Sequence, residues 1–213
     1  DCKRKDWEAA HMEVHAAMVD RMDQGIGKIL NKLGEKDLLD NTLIFFLSDN
    51  GASPERGFKP GFDRPGFTRN GDTIVYDNFE RPGPHKTYGY LGRAWAGAVN
   101  APFRYWKAQS FEGGMCTPMI VHWPAGLRTK SGSITDQPGH VMDIMATCLD
   151  ISGASYPDVY NGNRIEPLQG ISLLPILKGK EREGHKTLGW EHEGGRAFRS
   201  GDWKISALRK GNW

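Results

Sequence analysis

The sequence predicts an α/β fold in which helices cover part of a sheet, followed by the start of a small antiparallel module. Three observations predict it: apolar residues recurring at steps of three and four between Val14 and Leu33, two continuous apolar runs at 43–47 and 118–124, and an alternating stretch at 187–206.

The first helix spans Trp7 to Leu33. Val14, Met18, Met22, Ile26, Ile29 and Leu33 share one stripe, and Gly34 follows as a stop, which reads as a crossover helix. After "DLLDNT", the run Leu43 to Leu47 is apolar without alternation and predicts a strand covered on both faces, as in a parallel sheet. "PMIVHWP" at 118–124 reads the same way. Val141, Ile144, Met145, Cys148 and Leu149 mark a shorter helix ending near Gly153, and "TLGWEHEGGRAFRSGDWKIS" predicts a hairpin with a Gly-Gly turn. The chain thus divides into an α/β portion at 1–184 and the start of an antiparallel module at 185–213.

Residues 52–106 lack clear periodicity and read as a long loop region. Phe58, Phe62, Phe67, Tyr76, Phe79, Tyr88, Tyr90 and Trp95 alternate there with Arg and Lys among many glycines and prolines. A stretch of this length is uncommon in a compact domain unless it builds a site or a lid. Its rings and cations suit stacking on bases or sugars, or pin down a surface loop; both readings stand.

Composition narrows the function classes. The 28 basic and 26 acidic residues leave a net charge of +2, too small and too scattered to argue for nucleic acid or an anionic membrane. No run approaches the roughly 18 apolar residues of a membrane span, and "DCKRKDWEAA" lacks the layout of a signal peptide. Cys2, Cys116 and Cys148 are widely spaced and suggest neither a disulfide framework nor a zinc site.

The stretch "LIFFLSDNGAS" at 43–53 sets Asp49 and Asn50 directly after a strand signal. Ligands of open α/β sheets gather beyond the carboxyl ends of strands, and a carboxylate beside an amide oxygen is a hard donor pair suited to calcium or magnesium. Asp, Asn and Gly are equally the residues of a plain turn. The spacing does not fit an EF-hand loop.

Five blocks, "HAAMVDRMDQGIGKIL", "LLDNTLIFFLSDNG", "NAPFRYWKAQSFEGGMCTPMIVHWPAGL", "GISLLPILKGK" and "LGWEHEGGRAFRSGDWKI", follow one another in the order found in type I sulfatases. The chain resembles the C-terminal portion of such an arylsulfatase, of the alkaline-phosphatase-like superfamily, and is most similar to the bacterial arylsulfatases. The resemblance implies that Asp49 and Asn50 bind a divalent cation, usually calcium, and that Lys107, five residues before Glu-Gly-Gly, is a catalytic residue contacting the substrate sulfate. It implies a sulfuric ester hydrolase acting on an aryl sulfate or a sulfated carbohydrate. A phosphatase or phosphonate hydrolase of the same superfamily, and a non-catalytic anion-binding fragment, are the alternatives.

The family nucleophile is a formylglycine made from the cysteine of Cys-x-Pro-x-Arg, expected upstream together with the remaining acidic metal ligands. "CTPMI" places Cys116 and Pro118 at that spacing, but Ile120 stands where the arginine belongs. Cys116 therefore reads as a small core residue of a buried strand. The expected partner is the N-terminal half of the same protein, without which the chain is expected to be inactive. The resemblance implies a periplasmic or secreted location.

Other residues invite a functional reading as well as a plain one. Glu191, His192 and Glu193 are a metal or acid/base cluster, a part of a substrate pocket, or a solvated hairpin tip. His140 reads as a neutral structural histidine. His85 lies in the loop region, is a residue type able to bind an anion, and is not taken as a site.

Overall fold

The structure, a computed structural model, describes residues 4–61, 64–76 and 81–211. Cys2, Phe62 and Phe79 lie outside the described residues. In chain order the elements are α1 (Lys5–Gly34), a 3-10 turn (Leu39–Asn41), β1 (Ile44–Leu47), α2 (Gly92–Val99), α3 (Glu112–Met115), β2 (Met119–His122) and α4 (Met142–Ser152). They continue with β3 (Val159–Tyr160), β4 (Asn163–Arg164), α5 (Leu174–Leu177), β5 (Thr187–His192), β6 (Gly195–Ser200) and β7 (Trp203–Ala207).

Helix α1 forms where the stripe predicts it. Its N-terminal turns are packed, with Ala10 and His11 buried, His11 Nδ1 2.5 Å from the Tyr90 carbonyl oxygen, and Trp95 Nε1–H donating to Glu8 O at 2.9 Å. Further along, Met18, Met22 and Ile29 of the same stripe stand exposed. Helix α4 ends as expected: Gly153 takes a left-handed conformation (φ 69°) that an L side chain resists, and its N–H closes on Leu149 O.

The pairing of the two apolar runs corrects the sequence reading. β1 and β2 pair antiparallel, Ile44 facing His122 and Leu47 facing Met119, so they are not parallel neighbours. Nor is the pair covered on both faces. Phe46 and Ile120 sit directly opposite each other and are 45% and 63% exposed. An unbroken apolar run reports what its faces prefer to touch; strand direction is set by the chain's path, here a long return from residue 47 to residue 119.

The 52–106 region also differs from a plain loop, for it contains α2. Its aromatics pack: Tyr76 is buried and stacks on Tyr88 with ring centroids 4.9 Å apart, and Tyr90 lies 5.9 Å from the Trp7 ring. The small sheet runs β5-β6-β7, all antiparallel. Its first turn is Glu193–Gly194, both at positive φ (50° and 82°), rather than Gly-Gly; Gly195 already belongs to β6 and pairs with His192 of β5. Between α4 and α5, Ala146, Leu173 and Leu177 form a local core.

Candidate active site

Beyond Leu47 the chain turns through Ser48, Asp49 and Asn50 into Gly51. Thr117 Oγ1 donates to Ser48 O at 2.9 Å and fastens this corner to the segment entering β2. Asn50 spends an amide N–H on Gly51 O at 2.9 Å, which leaves its side-chain oxygen without a donor among the described residues. The exposed Asp49 carboxylate likewise has neither hydrogen bond nor ion pair there. Two adjacent hard oxygens are thus unclaimed at the carboxyl end of a strand, a donor set that fits part of a calcium site. Among the described residues no group of three or more His, Cys, Asp and Glu is placed to hold a metal ion, so the pair falls short of a full shell.

Lys107 reaches the same corner. Its backbone N–H donates to Ala52 O at 3.1 Å, and its ammonium stands 3.6 Å from Glu55 Oε1, with both side chains partly exposed. The turn that delivers it is strained, since Tyr105 (φ 65°) and Ala108 (φ 68°) both lie in the left-handed region that non-glycine residues seldom occupy. The backbones meet without intervening side chains: Gly51 N–H donates to Gly114 O at 3.0 Å and Gly113 N–H to Arg104 O at 2.9 Å. A Cβ on Gly51 would come within 1.7 Å of Gly113 O. Asn100, which the sequence reading did not single out, ties this corner together. Its Oδ1 accepts from Ala52 N–H (3.1 Å), and its Nδ2 donates to Tyr105 O (3.0 Å) and Gly113 O (2.8 Å).

With Asp49, Asn50 and Lys107 on one corner, comparison with known proteins is decisive: residues 1–154 match the sulfatase family. The chain belongs to the sulfatase family. It is 33% identical to an uncharacterized sulfatase of Schizosaccharomyces pombe over 214 residues, covering 98% of this chain and 37% of that one. It is also 33% identical to an arylsulfatase of Klebsiella aerogenes over 195 residues, covering 86% of this chain and 40% of the relative. Among solved structures, a sulfatase of Pseudoalteromonas sp., PsFucS1, superposes with a TM-score of 0.54 at 25% identity, over 89% of this chain and 29% of that one. The chain therefore spans well under half the length of these sulfatases, and its α/β arrangement fits their alkaline-phosphatase-like fold.

Cys116 is not the core residue the sequence suggested. It lies before β2, not in it, and is exposed. Its thiol is pushed up from the ordinary value by the protein packed around it and then by the Glu112 carboxylate. The Glu112 carboxylate also pairs with Lys204 of β7, and Ser206 Oγ donates to Ser110 O at 3.0 Å, so the small sheet leans on the turn just after Lys107.

A second polar cluster, absent from the sequence reading, joins α4 to the entrance of the sheet. Asp143 is fully buried and accepts from Ile171 N–H (2.9 Å), His140 N–H (2.9 Å) and Arg182 Nη2 (2.9 Å), with His185 Nε2 2.7 Å away. Burial pushes its carboxyl up, but the hydrogen bonds from Ile171, His185, His140 and Arg182 outweigh that and hold it below the usual carboxylate range. Burial pushes the nearby His140 imidazole down, against the raising influence of Asp143 and with a further push from His185. His140 Nδ1 accepts from Met142 N–H at 3.3 Å. His85 faces Asp72 at 3.4 Å. Glu191, His192 and Glu193 form a hairpin end, Glu191 Oε1 accepting from Gly194 N–H at 2.7 Å and Glu193 pairing with Arg209 at 3.4 Å. No described helix is long and apolar enough to cross a membrane.

Proposed function

We propose that the protein is a sulfuric ester hydrolase acting on an aryl sulfate or a sulfated carbohydrate, with Lys107 binding the sulfate and Asp49 and Asn50 contributing to a calcium site. The observation that carries this reading is the Lys107 N–H···O Ala52 bond, which sets the lysine's backbone beside the Asp49–Asn50 corner. Transfer of a sulfuryl group concentrates negative charge on its oxygens, and a compact ammonium suits that charge as a point partner. A bound divalent cation would supply further positive charge at the same oxygens. Lys107 orients and neutralises the sulfate, and Asp49 and Asn50 would hold the cation through their side-chain oxygens.

Attack on sulfur requires a nucleophile, which we place in a preceding segment of the whole protein as a formylglycine. The chain's 37–40% coverage of its relatives supports this. So does the uncovered face of Phe46 and Ile120, with the exposed Met18, Met22 and Ile29 of α1, as a surface for that segment to pack on. A periplasmic or secreted location belongs to the same reading.

The test is Lys107→Ala in the whole protein, assayed on nitrophenyl sulfate and nitrophenyl phosphate. Sulfate turnover should exceed phosphate turnover in the parent and fall by roughly 10²-fold or more in the variant, the usual effect of losing a preorganised charge contact. A parent that prefers the phosphate, or a variant with unchanged turnover, would refute the assignment.

A further inference from the structure

The turn carrying Lys107 and the corner carrying Asp49 and Asn50 come from distant parts of the chain, joined by few direct bonds. Among the described residues the direct hydrogen bond between them is Lys107 N–H···O Ala52. The Glu-Gly-Gly turn adds Gly51 N–H···O Gly114 and Gly113 N–H···O Arg104, and one side chain spans all three segments. Asn100, at the C-terminal end of α2, bonds three separate backbones: Ala52 beside the acidic corner, Tyr105 in the lysine turn, and Gly113 in the Glu-Gly-Gly turn. We infer that Asn100 is a positioning residue that fixes the spacing between Lys107 and the Asp49–Asn50 corner. This rests on the functional reading above.

The chemistry of the side chain selects this role. The junction needs one acceptor for Ala52 N–H and two donors for the carbonyls of Tyr105 and Gly113, on a stem short enough to reach all three. A primary amide supplies that set on one plane. Aspartate has the same shape but would set one acceptor oxygen, in place of Nδ2, against two carbonyl oxygens. Serine has one donor, and glutamine carries the amide a methylene too far. The bond to Tyr105 O also falls on a residue in a left-handed conformation, so Asn100 holds the strained point of the turn that delivers Lys107. Asn100 is half-buried and has no contact with Lys107's ammonium among the described residues, so it acts through the backbone.

A double-mutant cycle in the whole protein tests this. Asn100→Asp should lower kcat on nitrophenyl sulfate by about 10²-fold, the scale of an ångström-sized misplacement of a reacting group, and change KM less than threefold. In a Lys107→Ala background the same substitution should cost less than about threefold, because the group it positions is gone. A non-kinetic readout accompanies it: hydrogen exchange of peptides covering 50–53 and 104–108 should quicken at least tenfold in Asn100→Asp, while peptides of β5 to β7 keep their protection. Equal kcat losses in both lysine backgrounds, or unchanged exchange at 50–53, overturn the inference and leave the functional reading standing. If Lys107→Ala alone has no effect, both fall together. Asn100→Ser, which keeps an acceptor for Ala52, provides the second variant should Asn100→Asp fold poorly, and the same coupling is expected of it.

Discussion

The ammonium of Lys107 stands 3.6 Å from the Glu55 carboxylate, so the cation assigned to the substrate already has an anion beside it. The two side chains are 38% and 51% exposed, and a pair this open is worth at most about 1 kcal/mol. That is enough to compete with a sulfate but not to exclude it. Glu55→Gln should therefore lower KM for nitrophenyl sulfate by up to about fivefold and leave kcat within a factor of two, as steady-state kinetics of the whole protein would reveal. A raised KM would mean that Glu55 helps to hold Lys107 in place instead.

Calcium binding by the 213-residue chain alone should be weak, with a Kd above about 1 mM, because two neighbouring oxygens are far from the six to eight that calcium takes. Isothermal titration of the chain checks this. Micromolar binding that disappears in Asp49→Ala would show that the described residues complete the site by themselves.

Cys116 should be dispensable. The thiol is exposed but pushed up, so little of it is thiolate at neutral pH, and Ile120 leaves the motif without its arginine. Cys116→Ala in the whole protein should keep turnover within about twofold, since the nucleophile is placed elsewhere. Abolished turnover with a normal thermal melt would move the nucleophile to this residue.

Acid should destabilise the protein in two stages. His140 sits below its ordinary 6.5, so as pH falls below that value the unfolded chain takes up the proton first and stability drops. Asp143 is held below its ordinary 3.8, so its contribution is complete above that pH and is lost as pH falls through the lower folded value. Thermal melts from pH 8 to pH 3 should show Tm falling in both windows, and His140→Gln should flatten the upper one. Asp143→Asn leaves the buried Arg182 charge without its partner, which typically costs about 3 to 5 kcal/mol, or a Tm loss of about 10 °C at pH 7. A Tm within a degree of the parent would show that the cluster contributes nothing to stability.

Much of this architecture was legible in the residues and some was not, for identifiable reasons. The long stripe of α1 and the Gly153 stop of α4 are local signals, and the structure follows them. Helix α2 was hidden because "GRAWAGAV" opens on a glycine, holds another inside, and follows a glycine-rich approach, so propensity argued against it. The direction of β1 against β2 was not encoded in either run. Asp49 and Asn50 read as a donor pair from their place after the strand signal, but only the family resemblance joins Lys107 to them. Asn100 and the Asp143 cluster are not legible in the sequence because each depends on a distant partner: Ala52 lies 48 residues from Asn100, and Arg182 and His185 lie 39 and 42 residues from Asp143. Periodicity does not reach across such separations.

The backbone contact of Gly51 with Gly113 and Gly114 has a consequence for inheritance. A Cβ would meet a carbonyl oxygen within 1.7 Å at Gly51, 2.2 Å at Gly113 and 2.0 Å at Gly114. Every single-base change that replaces a glycine introduces either a residue with a Cβ or a stop, so a missense step at these three positions sets a side chain against a carbonyl oxygen. Lineages of this protein can retune Glu55 or the aromatics of 52–106 by small steps, but the glycine contact is transmitted whole or broken outright.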